Sequence, residues 1–337
     1  MATVWLGRGV SNNIALIEAL KDLSFSVVVS HIAEEWSGNQ YAKSFQEPDI
    51  QGIDYVKWTA KIMEKENFDY FIPGRCLGDF SHFPESLKHK LIMGCSPEIC
   101  DELDDKALFY KKCQEAGFPF VADFEVFNDS ESFSEAYGKL LSKKHEKFCF
   151  KPVKGVFAQG FRILTNNNPL DTIQNGSLYH IRLKDFLAAF NDYPDYKMEP
   201  TILMPAFNGK ELSVDGSFDG ENYRMVARIK NGTSGQTILT DKTIYDAALN
   251  VATLFKLKGI FNIQFMYYNE ELMILEVNPR PAGGIATSLL SEVDLICPEI
   301  FGIHSAKVNK KNLVPNIERV IISETKYYEK IAKINYK

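Results

Sequence analysis

Apolar and polar positions follow two patterns along the first hundred residues, one typical of buried strands and one typical of helices. Short apolar runs at 3–7, 24–32 and 68–74 predict buried strands, and the stretches at 11–23 and 54–67 carry apolar residues at helical spacing. We expect Ser11 or Asn12 to cap the first helix. The alternation of strand and helix predicts a parallel, doubly wound sheet.

The pattern changes twice further along the chain. A helix is predicted from Asp105 to Ala116, with Asp104 as its cap and Gly117 as its end. The stretch 148–164 predicts a hairpin with a mobile, glycine-bounded tip, and 165–200 a loop, a helix and a loop. From Thr201 the chain is rich in predicted strands, with one helix at 241–256, and the lysine-rich tail from Asn309 predicts a peripheral helix or strand. We therefore predict three segments, 1–100, 101–200 and 201–337.

Composition narrows the class of protein. The chain has 337 residues and a net charge of -6, which argues against general binding of nucleic acid. No apolar run is long enough to span a membrane, and the N-terminus lacks the features of a signal peptide. The six cysteines and six histidines show neither disulfide-framework nor zinc-ligand spacing. We expect a cytoplasmic protein with reduced thiols.

A row of polar residues ends the last predicted strand. Glu276, Asn278 and Arg280 are two apart, so in extended backbone they leave the same face. A three-residue turn at 269–271 would also place Gln264 opposite Glu276, whereas a two-residue turn would not. Carboxylate and amide oxygens suit Mg²⁺, and arginine suits phosphate. The alternative is a solvated sheet face, which does not account for the arginine and the Gly283-Gly284 pair behind it.

Three other stretches carry candidate chemistry. Lys151 precedes a glycine-bounded loop that can present a cation and backbone N–H groups to phosphates, although an ordinary surface hairpin is an equal alternative. Glu211, Ser213 and Asp215 share one strand face, where an acid can bind ribose. The Gly7-x-Gly9 turn begins like a dinucleotide fingerprint, but Asn12 replaces the third glycine, which favours a simple tight turn.

In chain order, the segments around Lys151, Glu211 and Glu276 resemble the ATP-grasp superfamily of carboxylate–amine ligases, over about 103–290. The segment "KPVKGVFAQGFRIL" looks like the family's phosphate-binding hairpin. The segment "MPAFNGKELSVDG" is similar to the family's adenine- and ribose-binding segment, and "LEVNPRPAGG" is similar to its metal-binding end. Gln264 resembles the carbamoyl-phosphate-synthetase variant. The resemblance implies a mixed α/β and α+β fold, in which a parallel α/β pre-ATP-grasp domain precedes a two-lobed ATP-grasp fold.

The resemblance also implies a role for each matching residue. Lys106 and Lys151 would contact nucleotide phosphates, and Gly155 and Gly160 would bound the loop that closes over them. The Met204 carbonyl or the Ala206 amide would hold adenine, with Pro205 in place of the family's first acid, and Glu211 would bind ribose. Gln264, Glu276 and Asn278 would bind two Mg²⁺ ions, with Mn²⁺ as a substitute, and Arg280 would contact phosphate or acyl phosphate.

Several further residues are candidates for substrate recognition. We assign Arg228 to the substrate carboxylate or acyl phosphate, with a solvated strand arginine as the alternative. Arg8, Asn12, Arg75 and Asp79 follow predicted strands at the switch-point positions where α/β sheets bind ligands. Helix capping and turn formation are the alternative roles for these four.

The function implied by the resemblance is an ATP-dependent ligase. ATP would activate a small-molecule carboxylate as an acyl phosphate, and an amine would then displace phosphate, so that ADP and phosphate are released. Many members of the family are dimers, so the resemblance also implies a homodimer. Three alternatives stay open: an idle ATP-binding regulatory protein, an enzyme that activates bicarbonate as carboxyphosphate, and a dinucleotide-dependent oxidoreductase.

Overall fold

The computed structural model describes residues 1–33, 40–155, 159–174, 179–231, 235–303 and 313–321. Contacts divide the chain into two units. The first, here the major unit, contains Met1–Asp101, Lys210–Phe265 and Leu275–Lys337; the second, the minor unit, contains Glu102–Gly209 and Met266–Ile274. The predicted boundaries near 100 and 200 stay a prediction.

The N-terminal hundred residues form a parallel sheet, as predicted. Its strands run in the order β3-β2-β1-β4, and all three pairings are parallel. The elements are β1 (Thr3–Leu6), α1 (Ile14–Asp22), β2 (Ser26–His31), β3 (Lys43–Gln46), α2 (Gly52–Glu66), β4 (Tyr70–Ile72) and α3 (Pro97–Asp104). Asn13 caps α1, because its side chain accepts from the N–H of Leu16, so the predicted caps Ser11 and Asn12 are wrong.

The minor unit carries a five-stranded sheet in the order β5-β9-β6-β7-β8. The elements are α4 (Lys106–Glu115), β5 (Glu125–Phe127), α5 (Ser130–Ser142), β6 (Phe148–Pro152), β7 (Arg162–Thr165), α6 (Pro169–Gln174), β8 (His180–Arg182), α7 (Leu183–Asp192) and β9 (Thr201–Pro205). The strands β6 and β7 form the predicted hairpin, whose tip at 156–158 lies outside the described residues. Asp105, and not the predicted Asp104, caps α4.

Phenylalanines fill the core of the minor unit. Phe127, Phe133, Phe150 and Phe186 are buried in one cluster, and the rings of Phe150 and Phe186 stack at 4.8 Å between centroids. Aromatic pairs at this distance add to the free energy gained from burial. This core supports the sheet from which the β6–β7 hairpin extends.

A six-stranded sheet in the order β14-β13-β10-β11-β12-β15 follows. The elements are β10 (Glu211–Phe218), β11 (Tyr223–Lys230), β12 (Gln236–Ile238), α8 (Lys242–Leu254), β13 (Gly259–Tyr268), β14 (Glu271–Asn278), α9 (Ile285–Ser288) and β15 (Arg319–Ile321). The tail prediction lies largely outside the described residues, since 304–312 and 322–337 are not described. Among described residues, no helix is both long and apolar enough to cross a membrane.

One apolar cluster in the major unit joins the N-terminal parallel sheet to β13 and α9. Leu16 of α1 and Val29 of β2 are buried together with Ile260 of β13 and Ile285 of α9. The parallel sheet and the end of the C-terminal hairpin are therefore packed within one core. This packing fixes the position of the polar residues at the end of β14.

Candidate active site

The end of β14 carries the polar row that the sequence predicts. The side-chain Nδ2 of Asn278 donates to Oε1 of Glu276 at 3.0 Å, which confirms that these residues share a face. The chain turns at once, because the N–H of Arg280 donates to the carbonyl of Asn278 at 2.8 Å. Glu276, Asn278 and Arg280 are each half-buried. The strand end therefore presents an acid, an amide and a cation from consecutive alternate positions.

Two loops of the N-terminal hundred residues hold this turn in place. The N–H of Gly94 donates to the carbonyl of Pro279 at 3.1 Å, and Nδ2 of Asn13 donates to the carbonyl of Ala282 at 3.1 Å. A Cβ on Gly94 would lie 2.4 Å from the carbonyl carbon of Pro279, so only glycine fits there. The backbone around Arg280 is therefore fixed on both sides by the N-terminal part of the major unit.

The hairpin turn between β13 and β14 differs from the prediction. It contains two residues, Asn269 and Glu270, with φ of 50° and 68°, where we predicted three. Paired left-handed residues make the two-residue turn whose twist matches the strands. The predicted opposition of Gln264 and Glu276 depended on a three-residue turn, which is not the turn that forms. The role of Gln264 as a ligand stays a prediction that rests on the family pattern.

The residues at this strand end fit a divalent cation. Within the described ranges, Glu276 forms no ion pair, and the side chain of Gln264 has no hydrogen-bond partner. A half-buried carboxylate without a counter-charge is costly, and Mg²⁺ binds carboxylate and amide oxygens. Glu276 and Asn278 would hold the ion, with Gln264 on the neighbouring strand.

Two lysines of the minor unit lie beside the glycine hairpin. Nζ of Lys151 donates to the hydroxyl of Tyr110 at 3.0 Å and lies 5.2 Å from the centre of its ring. Nζ of Lys106 donates to the carbonyl of Gly155 at 2.9 Å, and its N–H to the carbonyl of Val153 at 3.1 Å. Lys106 and Tyr110 are four residues apart on α4 and therefore lie on one face of the helix. This face contacts the hairpin through Lys106 and contacts Lys151 through Tyr110.

The hairpin closes onto β6 through Gly160. This residue has φ of 72°, and a Cβ would lie 2.7 Å from Cγ of Pro152. Glycine is needed for both the left-handed backbone and the close approach. The predicted pair Gly155 and Gly160 thus bounds the loop, and both residues are exposed.

The adenine contact predicted for the Ala206 amide stays a prediction. The N–H of Ala206 already donates to the carbonyl of Lys147 at 2.8 Å, as a continuation of the β6–β9 ladder. Met204 pairs with Cys149 in the same ladder. In the major unit, Glu211 forms an ion pair with Lys230 on the surface of β10 and β11, with 3.3 Å between Oε1 of Glu211 and Nζ of Lys230. A ribose role for Glu211 and an adenine role for Met204 stay predictions.

Arg228 is buried in a polar network and not solvated. Its Nε donates to Asp215 at 2.9 Å, Nη2 to Ser213 at 3.0 Å and Nη1 to Gln236 at 2.7 Å. Asp215 also accepts from Asn262 at 2.8 Å and from Ser288 at 2.6 Å. The alternative of a solvated strand arginine is therefore wrong.

Arg228 also explains the second glycine behind Arg280. A Cβ on Gly284 would lie 2.8 Å from both terminal nitrogens of Arg228, so this glycine makes room for the guanidinium. Gly283 has no such neighbour within 4 Å. The network thus supports the turn that follows Arg280, and substrate contact by Arg228 stays a prediction.

Sequence reasoning missed several residues that contact the predicted ones within each unit. Tyr110, Gly94, Asn262 and Ser288 each contact a predicted site residue or its backbone. Only Tyr110 left a signal, its four-residue spacing from Lys106 on a predicted helix. The others come from distant segments that only the tertiary fold brings together.

Comparisons with known proteins agree with this architecture. A model of the family described as "ATP-grasp in the biosynthetic pathway with Ter operon" matches residues 197–326. The arginine-specific carbamoyl phosphate synthase large chain of Bacillus subtilis is 22% identical over 298 residues, which cover 82% of this chain and 26% of that protein. The chain thus spans about a quarter of the length of this relative.

Solved structures share the fold. A biotin carboxylase–β,γ-ATP complex from Campylobacter jejuni superposes with a TM-score of 0.65 at 15% identity, over 94% of this chain and 74% of that one. A second match is the biotin carboxylase domain dimer of Hydrogenobacter thermophilus 2-oxoglutarate carboxylase, in complex with MgADP, ADP and bicarbonate. Its TM-score is 0.61 at 16% identity, over 88% and 68% of the two chains.

The fold, the order of the motifs and the relatives define one class of protein. In this class of nucleotide-binding proteins, an α/β domain precedes an ATP-grasp fold. The matching family model, the curated relative and the shared fold all support the predicted ATP-grasp superfamily. The predicted superfamily and the predicted fold class are both confirmed.

Proposed function

We propose that this protein is an ATP-dependent ligase that activates a small-molecule carboxylate and couples it to an amine. The observation that carries the proposal is the end of β14. There Glu276 and Asn278 are joined at 3.0 Å, Glu276 has no ion-pair partner in the described ranges, and Arg280 follows in a turn fixed by two hydrogen bonds. Oxygen ligands beside a fixed cation suit phosphoryl transfer.

Each side chain would perform a binding or charge-neutralising task. Lys106 and Lys151 would contact the nucleotide phosphates, and the hairpin bounded by Gly155 and Gly160 would exclude water from a reactive acyl phosphate. Arg280 would stabilise charge on the transferred phosphoryl group. Bound Mg²⁺ would neutralise phosphate charge and help orient the group in line. No nucleophilic side chain is required for this chemistry.

A second candidate is activation of bicarbonate as carboxyphosphate. The structural match that carries MgADP and bicarbonate favours it, and the curated relative is a carbamoyl phosphate synthase. The same residues would perform the same phosphoryl step, since bicarbonate is itself a carboxylate acceptor of phosphate. The two candidates therefore differ in substrate and not in the site.

The experiment that tests the proposal is ADP release from Mg²⁺-ATP. Pools of amino acids and small carboxylates, each with and without amines, are compared with bicarbonate alone. We expect one pool to raise ADP release, and Glu276→Ala to lower that rate by at least about 100-fold. Glu271→Ala, which removes an exposed acid from the same strand, is the matched control and should leave the rate unchanged.

The outcomes separate the candidates. Release with bicarbonate alone supports the second candidate. ATP binding without release from any pool would favour an idle nucleotide-binding protein. Equal loss in Glu271→Ala and Glu276→Ala would remove the role proposed for Glu276.

A further inference from the structure

Two buried cysteines face each other where α3 begins. The Sγ atoms of Cys95 and Cys100 lie 3.4 Å apart, which is within hydrogen-bonding distance for a thiol donor and a sulfur acceptor. The two residues are 0% and 2% exposed, and both are thiols. The proposed ligase chemistry uses neither of them. The fold thus brings together two reactive groups that have no assigned task.

The helix fixes Cys100 more firmly than Cys95. The N–H of Cys100 donates to the carbonyl of Ser96 at 3.0 Å, as part of the first turn of α3, whereas Cys95 lies ahead of the helix. The sulfur atoms of a disulfide are about 2.05 Å apart, so those of this pair need to approach by about 1.4 Å. We therefore expect Cys95 to move more than Cys100 when the bond forms.

The residue before Cys95 contacts the candidate active site. The N–H of Gly94 donates to the carbonyl of Pro279 at 3.1 Å, and its carbonyl accepts from the N–H of Lys258 at 2.7 Å. The same glycine has no room for a Cβ, because the backbone of Pro279 lies so close to it. Closely packed groups transmit small displacements. A shift of Cys95 therefore reaches the turn around Arg280 through one residue.

One molecule of peroxide balances the oxidation of the pair. Hydrogen peroxide oxidises the first thiol to a sulfenic acid and is itself reduced to water. The second thiol attacks the sulfenic sulfur, the S–S bond forms, and the hydroxyl group leaves with the proton of the thiol as a second water. Because the two sulfur atoms are already in contact, the disulfide forms before the sulfenic acid is oxidised further. Burial excludes larger oxidants, so a peroxide is the class of oxidant that suits this pair.

Cys113 offers a matched comparison in the same chain. It is buried on α4, and burial raises the pKa of its thiol to about 12, so the reactive thiolate is scarce at neutral pH. Within the described ranges its sulfur contacts no other cysteine. Cys113→Ser therefore removes a buried thiol and leaves the pair of Cys95 and Cys100 complete.

We propose that Cys95 and Cys100 are an oxidation site, which a peroxide converts reversibly into a disulfide that displaces the turn around Arg280. The effect on catalysis rests on the proposed ligase function, in which Arg280 stabilises the transferred phosphoryl group. Formation of the disulfide does not depend on that function, so it can be measured separately. The reduced protein is then the active form, and oxidation lowers its activity.

Peptide mapping of the full chain tests the oxidation. Reduced protein is treated with hydrogen peroxide, alkylated in denaturant without a reductant and digested with trypsin. Cleavage after Lys90 and Lys106 leaves both cysteines in one peptide, 91–106. We expect this peptide to lose two hydrogen atoms and to escape alkylation in the wild type. Cys113→Ser should give the same product, and Cys95→Ser should not form it.

ADP release measures the consequence of the disulfide. After removal of peroxide, the oxidised wild type should release ADP at least about 10-fold more slowly than the reduced protein, because a displacement of about 1 Å in an active site has effects of this size or larger. Dithiothreitol should restore the rate. Cys95→Ser should have the same rate before and after peroxide.

Each outcome decides one point. A wild-type peptide that stays alkylated at both cysteines, or that gains oxygen atoms at them, would overturn the oxidation site. A disulfide that forms without any change in ADP release would overturn the effect on Arg280. A reduced protein that never releases ADP, yet forms the disulfide, would contradict the ligase function and leave the oxidation site intact.

Discussion

Lys151 owes its orientation to a residue that is not part of any motif. Tyr110 is 1% exposed, and its hydroxyl and ring both contact the ammonium group of Lys151. A lysine side chain has much rotamer freedom, so holding it in advance lowers the entropy lost when it binds a phosphate. We therefore assign Tyr110 as a positioning residue for Lys151.

Tyr110→Phe tests this assignment. The change keeps the ring beneath the ammonium group and removes the hydrogen bond, which should weaken the binding of a non-hydrolysable ATP analogue about 3- to 10-fold. The measurement is calorimetric titration in the presence of Mg²⁺. Tyr193→Phe removes a hydroxyl from an exposed tyrosine and should leave the affinity unchanged. An unaltered dissociation constant in Tyr110→Phe would exclude the positioning role.

Sequence reasoning at the residue scale succeeded where chemistry follows local spacing. The shared face of Glu276 and Asn278 follows from the two-residue period of a strand, and their contact confirms it. The caps of α1 and α4 were mistaken. In both cases adjacent residues can cap the helix, and the turn actually formed decides which side chain does so.

At the element scale, glycine constrains the backbone of the β6–β7 hairpin. Gly160 combines φ of 72° with an approach to Pro152 that leaves no room for a Cβ. By contrast, Gly138 lies in the exposed middle of α5, where a Cβ would meet nothing within 4 Å. The same substitution should therefore have opposite effects in the two elements.

Gly160→Ala should strain the hairpin by about 1–2 kcal/mol and raise the KM for ATP. Gly138→Ala should stabilise the protein by about 0.5–1 kcal/mol, because alanine favours the helix, and leave that KM unchanged. Denaturant unfolding measures the first quantity and ADP release the second. If both variants have the same KM, the hairpin does not contact the nucleotide.

The elements differ in how far the sequence predicts them. Buried strands such as β1 and β2 are apolar runs and were predicted, whereas the edge strand β3 has the polar sequence Lys43-Ser44-Phe45-Gln46 and was not. The turn between β13 and β14 shows a second limit. Neither Asn269 nor Glu270 is glycine, yet both adopt the left-handed conformation that makes a two-residue turn.

At the scale of the whole molecule, long-range packing completes the major unit. Gly94 and Asn13 hold the turn around Arg280 from segments more than a hundred residues away in sequence. No local pattern indicates these contacts, since they depend on the parallel sheet sharing one apolar core with β13 and α9. The order of the motifs was predictable from the sequence, but the long-range contacts that hold the turn around Arg280 were not.

In the proposed reaction, a carboxylate of the substrate attacks ATP. The most direct test uses the substrate found by ADP release, labelled with ¹⁸O in its carboxylate, and mass spectrometry of the released phosphate. We expect one ¹⁸O atom per phosphate, because displacement from an acyl phosphate leaves the attacking oxygen on phosphorus. Phosphate without ¹⁸O, formed at the same rate as product, would contradict the account.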